Sequence, residues 1–353
     1  MPAKKRNKRQ SPAKPRERPA ATPEERRPKP RRIAWDGMSF DVPANWELAI
    51  YKFLRRRVRR MELEDEYSIR LEAEWVRPKR KLRLATIMKR YERSARPLTV
   101  KAVEAIPIEG LPNGWHASRY IFRETLPKRK SAGLLYVTHE LVTAFYACPR
   151  STIFCFFMLH FLPEDKEDPE YVTRMLAENY KHHTQSDLIP WRLYDLAFEL
   201  PRGFLLENTM FDIGAKLMAF RWRLRRFYLW HFSCADMFLK DGVVLEEWVT
   251  GYVNGFGRIP GPVFYPGTDG ELTWRRRGPW IFHRDEIGRW CFHYKIRCQH
   301  DRERNQVVAW VYNYRRPEDL EKIPPAFRFG KDIFAPDSPP PKGKRTHQCS
   351  GEG

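Results

Sequence analysis

The chain has 353 residues, 42% of them hydrophobic and 14% aromatic with 12 Trp, which is enough apolar material for two cores, and it carries a formal net charge of +21. No run of 18 apolar residues occurs, the basic N-terminal stretch lacks the apolar centre of a secretory leader, and the six cysteines accompany no export signal. These features speak against a membrane-inserted chain and against a disulfide scaffold, so the expected setting is cytoplasmic, with reduced thiols.

Residues 1–32 hold Lys4, Lys5, Arg6, Lys8, Arg9, Lys14, Arg16, Arg18, Arg26, Arg27, Lys29, Arg31 and Arg32 against only Glu17, Glu24 and Glu25. The stretch has seven prolines and, after Met1, no aromatic or large aliphatic residue. It cannot bury enough apolar surface to offset backbone ordering, so a disordered arm is expected. Strands are then expected at Ser39–Val42, Met61–Leu63 and Ile69–Trp75, the last two alternating apolar and polar residues. A helix is expected over Leu82–Ser94, and strands over Val100–Ile106, Trp115–Arg123, Leu134–Ala147 and Thr152–Phe161. Asp168-Pro169 opens a second helix, with Tyr171, Met175, Leu176 and Tyr180 as its buried stripe.

The plan then repeats. Trp35, followed by Phe40-Asp41-Val42-Pro43-Ala44-Asn45-Trp46, returns as Trp191, followed by Phe198-Glu199-Leu200-Pro201-Arg202-Gly203-Phe204. Cys148 and Cys155 are matched by Cys291 and Cys298 with the same gap between them. The second copy is expected to hold a strand at Asp195–Leu200, an aromatic hairpin at Lys216–Leu224 and Phe227–Phe232, and a helix at Leu245–Phe256. Its later strands are expected at Gly270–Trp274, Pro279–His283, Arg289–Tyr294, Lys295–Gln299 and Gln306–Tyr314. The resulting expectation is an arm over 1–32, α+β domains over 33–186 and 187–328, and a Pro-rich tail over 329–353. Each domain would be an antiparallel sheet with one or two packed helices.

The strand–Pro–aromatic opening and the order of hairpins, helix, meander and helix resemble the PsbP-like fold. That fold is shared by the photosystem II extrinsic subunit and a Ran-binding release factor, and similar units occur in tandem in prokaryotic proteins. The resemblance spans about residues 33–315. It implies a binding or assembly factor and carries over no catalytic residue.

Three sets of residues compete for a chemical role. Cys291-x-His293 and Cys298-x-His300 would offer four zinc ligands if a turn at Tyr294–Ile296 made them a hairpin. The same cysteines also fit as small buried hydrophobes, and that reading is preferred. Cys148, Cys234 and the histidines, among them His139, His160 and His231, would serve an enzyme with an inter-domain pocket, but no nucleophile–base motif organises them; His182-His183 is read as favourable helix-terminus charge leading into a linker. Basic clusters at Arg55–Arg57, Arg59-Arg60, Lys79–Lys81, Lys128–Lys130, Arg221–Arg226 and Arg275–Arg277 stand beside aromatic residues or beside Glu62, Glu72 and Glu74. They suit either phosphate contact or cross-strand ion pairs. The arm's unbalanced charge suits nucleic-acid phosphate. The expected protein is therefore a non-catalytic binding module without cofactor or metal. Its expected partner is nucleic acid or a ribonucleoprotein, with a protein partner besides and no membrane insertion.

Overall fold

The computed structural model describes residues 30–329 apart from 55–57, 78–84, 90–103, 127–134, 163–164, 166, 183–185, 195, 241, 258, 260, 277, 279–281 and 324–327. The first copy opens with a hairpin of β1 (Pro30–Trp35) and β2 (Met38–Pro43). Asp36 (φ 48°) and Gly37 (φ 82°) form its two-residue turn, whose positive φ values match the right-handed strand twist. There follow β3 (Glu47–Phe53), β4 (Arg59–Glu64), β5 (Ile69–Val76), a helical segment α1 at 85–89, and β6 (Glu104–Ile108). Next come β7 (Trp115–Leu126), β8 (Leu135–Ala147), β9 (Phe154–Phe161), helix α2 (Pro169–Glu178) and the short strand β10 (Lys181–His182).

The second copy repeats the path. Its hairpin is β11 (Leu188–Leu193) with β12 (Leu196–Pro201), followed by β13 (Leu205–Asp212), β14 (Ala215–Trp222) and β15 (Arg225–Ser233). Helix α3 (Leu245–Gly255) leads to β16 (Pro262–Tyr265) and β17 (Glu271–Arg276). A short helix α4 (Arg284–Arg289) precedes β18 (His293–Asp301) and β19 (Gln306–Tyr314). A 3-10 turn at Pro317–Lys322 and the two-residue β20 (Arg328–Phe329) close the copy.

Both large sheets are seven-stranded and antiparallel, with orders β3-β4-β5-β9-β8-β7-β6 and β13-β14-β15-β19-β18-β17-β16. In each, the connection after the third strand carries the chain to the far edge, and the last four strands return to meet the third. Each copy then sends a two-residue strand back to its own hairpin: β10 pairs with Met38 and Ser39, β20 with Leu196 and Ala197. The copies even share an irregularity, a register shift between Leu48 and Ile50 and between Leu206 and Asn208.

This architecture corrects the α+β expectation. Strand dominates, and among the described residues the helices are few and short. Seven strands escaped the sequence reading: β10, β16 and β20 because they are only two to four residues long, and β1, β3, β11 and β13 because they mix charged residues or proline with apolar ones. The boundary of the arm changes too: Pro30, Arg31 and Arg32 belong to β1, paired with Pro43, Val42 and Asp41. Of the expected helix at Leu82–Ser94, the part at 85–89 is described and is helical. The expected tail, apart from Phe329, lies outside the described residues.

Register also revises the repeat. Trp35 pairs with Met38, whereas Trp191 pairs with Phe198, the counterpart of Phe40. Trp191 therefore stands where Ile33 stands in the first copy, and Leu193 stands where Trp35 does. The two cysteine pairs are not counterparts either. Cys148 follows β8 and Cys155 lies in β9, while Cys291 precedes β18 and Cys298 lies within it.

One continuous core runs through both copies. It joins the hairpins to the inner faces of both sheets and includes Trp35, Phe40, Trp75, Phe157, Trp191, Phe198, Phe220 and Phe227. At its middle, Trp35 meets Trp191 edge to face at 5.3 Å. The outer faces of the sheets differ. In the second sheet Leu217, Trp230, Phe232, Ile296, Val307 and Val311 form another apolar core with Val249 and Val253 of α3. In the first sheet the outward positions of β4 and β5 hold Glu62, Glu72 and Glu74. That difference explains why β4 and β5 alternate cleanly in sequence while β14, β15 and β19 are nearly continuous apolar runs.

Candidate nucleic-acid interface

Of the thirteen basic residues assigned to the arm, Lys4 to Lys29 lie outside the described residues. Arg31 and Arg32 do not belong with them. Arg31 pairs with Glu47 and Arg32 with Asp41, both within the folded first copy.

The folded basic clusters divide in the same way. Arg55–Arg57, Lys79–Lys81 and Lys128–Lys130 fall outside the described residues. Arg60 bonds Glu62 at 2.8 Å and Glu74 at 3.3 Å and also pairs with Glu72, so the cross-strand ion-pair reading holds there. Burial pushes the Glu72 carboxyl up, but the hydrogen bond from His160 and the Arg60 charge outweigh it and hold the group below its ordinary value. Arg221 and Arg226 share Glu207, and Arg226 also reaches Asp285 at 3.3 Å. Arg225 lies 4.7 Å over the Trp222 ring and bonds Asp319 at 2.8 Å.

The cluster at β17 and α4 is arranged differently. His283 caps α4 by accepting the Asp285 N–H, and the Glu286 side chain returns to accept the His283 N–H at 2.9 Å. Glu286 is buried, where it also accepts from Tyr294 Oη at 2.8 Å and from Arg276 at 3.0 Å. Anchored in this way, the Arg276 guanidinium lies 4.3 Å over the Phe282 ring and 5.8 Å from the Phe292 ring centre. Phe292 in turn meets Phe282 at 5.2 Å and Trp290 at 6.3 Å. Trp290 is 62% exposed and ends α4 with φ +52°.

The expected strands at Pro279–His283 and Arg289–Tyr294 are therefore corrected. Residues 279–281 lie outside the described residues, Phe282 and His283 are irregular, and the helix α4 ends at Arg289 with Trp290 as its cap. The sequence concealed α4 because it is six residues long and capped by His rather than Ser, Thr, Asp or Asn.

The turn expected at Tyr294–Ile296 is likewise absent, since β18 is one unbroken strand. Successive side chains on a strand face opposite ways, so His293 projects from the face opposite Cys298 and His300. Cys298 is buried in the core beneath α3, while the Cys291 thiol donates to the carbonyls of Leu224 (3.4 Å) and Arg289 (3.3 Å). The four side chains do not converge. Among the described residues, no group of three or more His, Cys, Asp or Glu is placed to hold a metal ion.

The candidate nucleophiles and bases are dispersed. The Cys148 sulfur accepts the Ser151 N–H at 3.2 Å, and although burial opposes it, hydrogen bonds from Ser151 and the Arg150 and Ser151 amides lower its pKa. Cys155 is fully buried, 3.0 Å from Tyr180 Oη, and burial pushes its thiol up to about 12. Cys234 is exposed, with φ +59°. His160 bonds Glu72 at 2.9 Å, and buried His231 bonds Gln306 at 3.2 Å. His182 packs against the Tyr146 and Tyr180 rings, and its pKa is lowered by burial and by Arg77. The side chain of His139 lies outside the described residues. No helix among the described residues is long and apolar enough to cross a membrane. No family model matches the chain, and no curated protein does.

Proposed function

We propose that this protein is a binding protein that engages nucleic acid or a ribonucleoprotein through the basic segment 1–29. One observation carries the reading: the thirteen basic residues fall into two groups. Arg31 and Arg32 have carboxylate partners in the fold and stand apart, and the sequence of residues 1–29 sets its Lys and Arg against Glu17, Glu24 and Glu25 alone. Eleven cations against three carboxylates, on a stretch without apolar anchors, match a phosphate backbone in charge and need no base contact. The likeness of the two opening motifs to those of PsbP-like binding and assembly factors supports a non-catalytic role.

The test compares the full chain with one lacking residues 1–29, each titrated with a labelled 20-nucleotide RNA over a range of salt concentrations. Removal of the segment is expected to weaken binding at low salt by about tenfold or more and to flatten the slope of log Kd against log salt. An unchanged slope would sink the proposal.

A further inference from the structure

We infer that the face built by Phe282, Ile287, Trp290, Phe292, Arg276 and Arg284 is a stacking platform for the unpaired bases of single-stranded nucleic acid. The inference rests on the nucleic-acid reading above and gives it a second, folded site.

Two features of this face run against local stability. Trp290 occupies the left-handed region as the C-cap of α4, a position that glycine or asparagine takes with less strain than a bulky aromatic. Arg284 is the first residue of the same helix, where the backbone dipole disfavours a cation. Neither cost is offset by burial, because Trp290 is 62% exposed, Ile287 51% and Phe282 38%. A residue held in a sparsely populated backbone region, with a large apolar ring left in solvent, marks a place where the fold serves something besides itself.

The charges name the occupant. The acidic groups of α4 are committed: Glu286 to Arg276 and Tyr294, Asp285 to Arg289 and Arg226. Arg284 is exposed and has no ion pair among the described residues. The face thus pairs surplus guanidinium charge with exposed aromatic rings. Its Arg276 guanidinium, already stacked on Phe282 and fixed by buried Glu286, is rigid rather than adaptable. Backbone phosphate beside Arg284, with bases on Trp290 and Phe282, satisfies both halves of the surface. A base stacks by its flat face, which duplex pairing hides, so the preferred strand is single. In the first copy the connection between β7 and β8 corresponds to that bearing α4, and it carries Lys128, Arg129 and Lys130.

The decisive variant is Trp290→Asn, which keeps a residue tolerant of positive φ and removes the ring; Arg284→Glu is the second. Each is compared with the full chain and with the chain lacking residues 1–29. The probes are a 20-nucleotide oligouridylate and a 20-base-pair duplex, read by anisotropy and by tryptophan quenching. Trp290→Asn is expected to weaken oligouridylate binding by about 5- to 100-fold and to abolish most of the quenching, with duplex binding unchanged. Arg284→Glu is expected to weaken oligouridylate binding by about tenfold. If Trp290→Asn binds and quenches as the full chain does, the platform is refuted and the face is left to a protein partner. If removal of residues 1–29 changes nothing while Trp290→Asn loses the single strand, the platform stands and the arm reading falls.

Discussion

Asp319 shows how one carboxylate closes a copy. It accepts the Arg315 and Arg316 N–H groups at 3.1 and 3.0 Å and the Arg225 guanidinium at 2.8 Å, tying the turn after β19 to the start of β15. The first copy uses the same device at the same place, where Arg70 of β5 pairs with Asp165 just beyond β9. Burial pushes the Asp319 carboxyl up, but Arg225 and the two amides outweigh it and hold the group below its ordinary 3.8. The native state therefore binds this proton less readily than the unfolded chain. The stabilisation is complete above the ordinary carboxylate range and is lost as pH falls through the lowered native value. Asp319→Asn is expected to cost about 1.5–3 kcal/mol at pH 7, measured by urea unfolding. The gap from the parent should narrow steadily below about pH 4. A gap independent of pH would show that the charge is not what holds the turn. Nothing in the sequence joined Arg225 to Asp319, since the two meet only when β15 and β19 become neighbours.

At the scale of elements, helix α3 illustrates packing that outweighs a poor local start. Val244 stands at its N-cap with extended backbone (φ −75°, ψ 130°) but offers no side-chain acceptor to the first amides. The helix is held instead by its face. Trp248 and Tyr252 each meet Phe232 edge to face at 4.8 Å, and Phe238 stacks on Trp248 at 4.0 Å. Val244 is 48% exposed, so Val244→Ser can supply the missing acceptor without disturbing the core. It is expected to raise stability by about 0.5–1 kcal/mol, seen as a higher denaturation midpoint with an unchanged slope. The helix was legible because Leu245, Trp248, Val249, Tyr252 and Val253 repeat at helical spacing. Helix α4 was not, since six residues hold too little periodicity to stand out. Strand β18 was not legible as one strand, although it pairs with β19 without a break from His293 to Asp301.

In the whole molecule the two copies meet through equivalent parts. Strand β1 packs against β11 and β3 against β13, which is the pattern of a two-fold, isologous interface. The hairpin turns reach across it reciprocally: a side chain added at Gly37 would come within 4.0 Å of Ile189, and Tyr194 Oη donates to the Leu48 carbonyl at 3.3 Å. Since the joint is part of the main core, each copy alone would expose Trp35 or Trp191 to water. Residues 1–186 and 187–353 produced together are expected to co-purify as a one-to-one complex by size exclusion, and each produced alone is expected to self-associate or precipitate. Two well-behaved monomers that ignore one another would contradict this. The cut at 186 leaves β10 with its own hairpin, so the outcome tests the joint rather than a broken sheet.

The sequence by itself determined that the chain is a tandem duplication rich in aromatics, that β4 and β5 alternate apolar and polar residues, and that positive charge collects before residue 30. These are local properties, set by spacing and composition along the chain. Tertiary structure decided the rest. It made the fold mostly β, shifted Trp191 two positions away from equivalence with Trp35, and gave Arg31 and Arg32 acidic partners. It also separated His293 from Cys298 and lifted Trp290 into solvent. Each of these turns on which strands become neighbours and in what register, and a single residue of slip exchanges the two faces of a strand. That information lies in contacts between distant segments, and no window along the chain contains it.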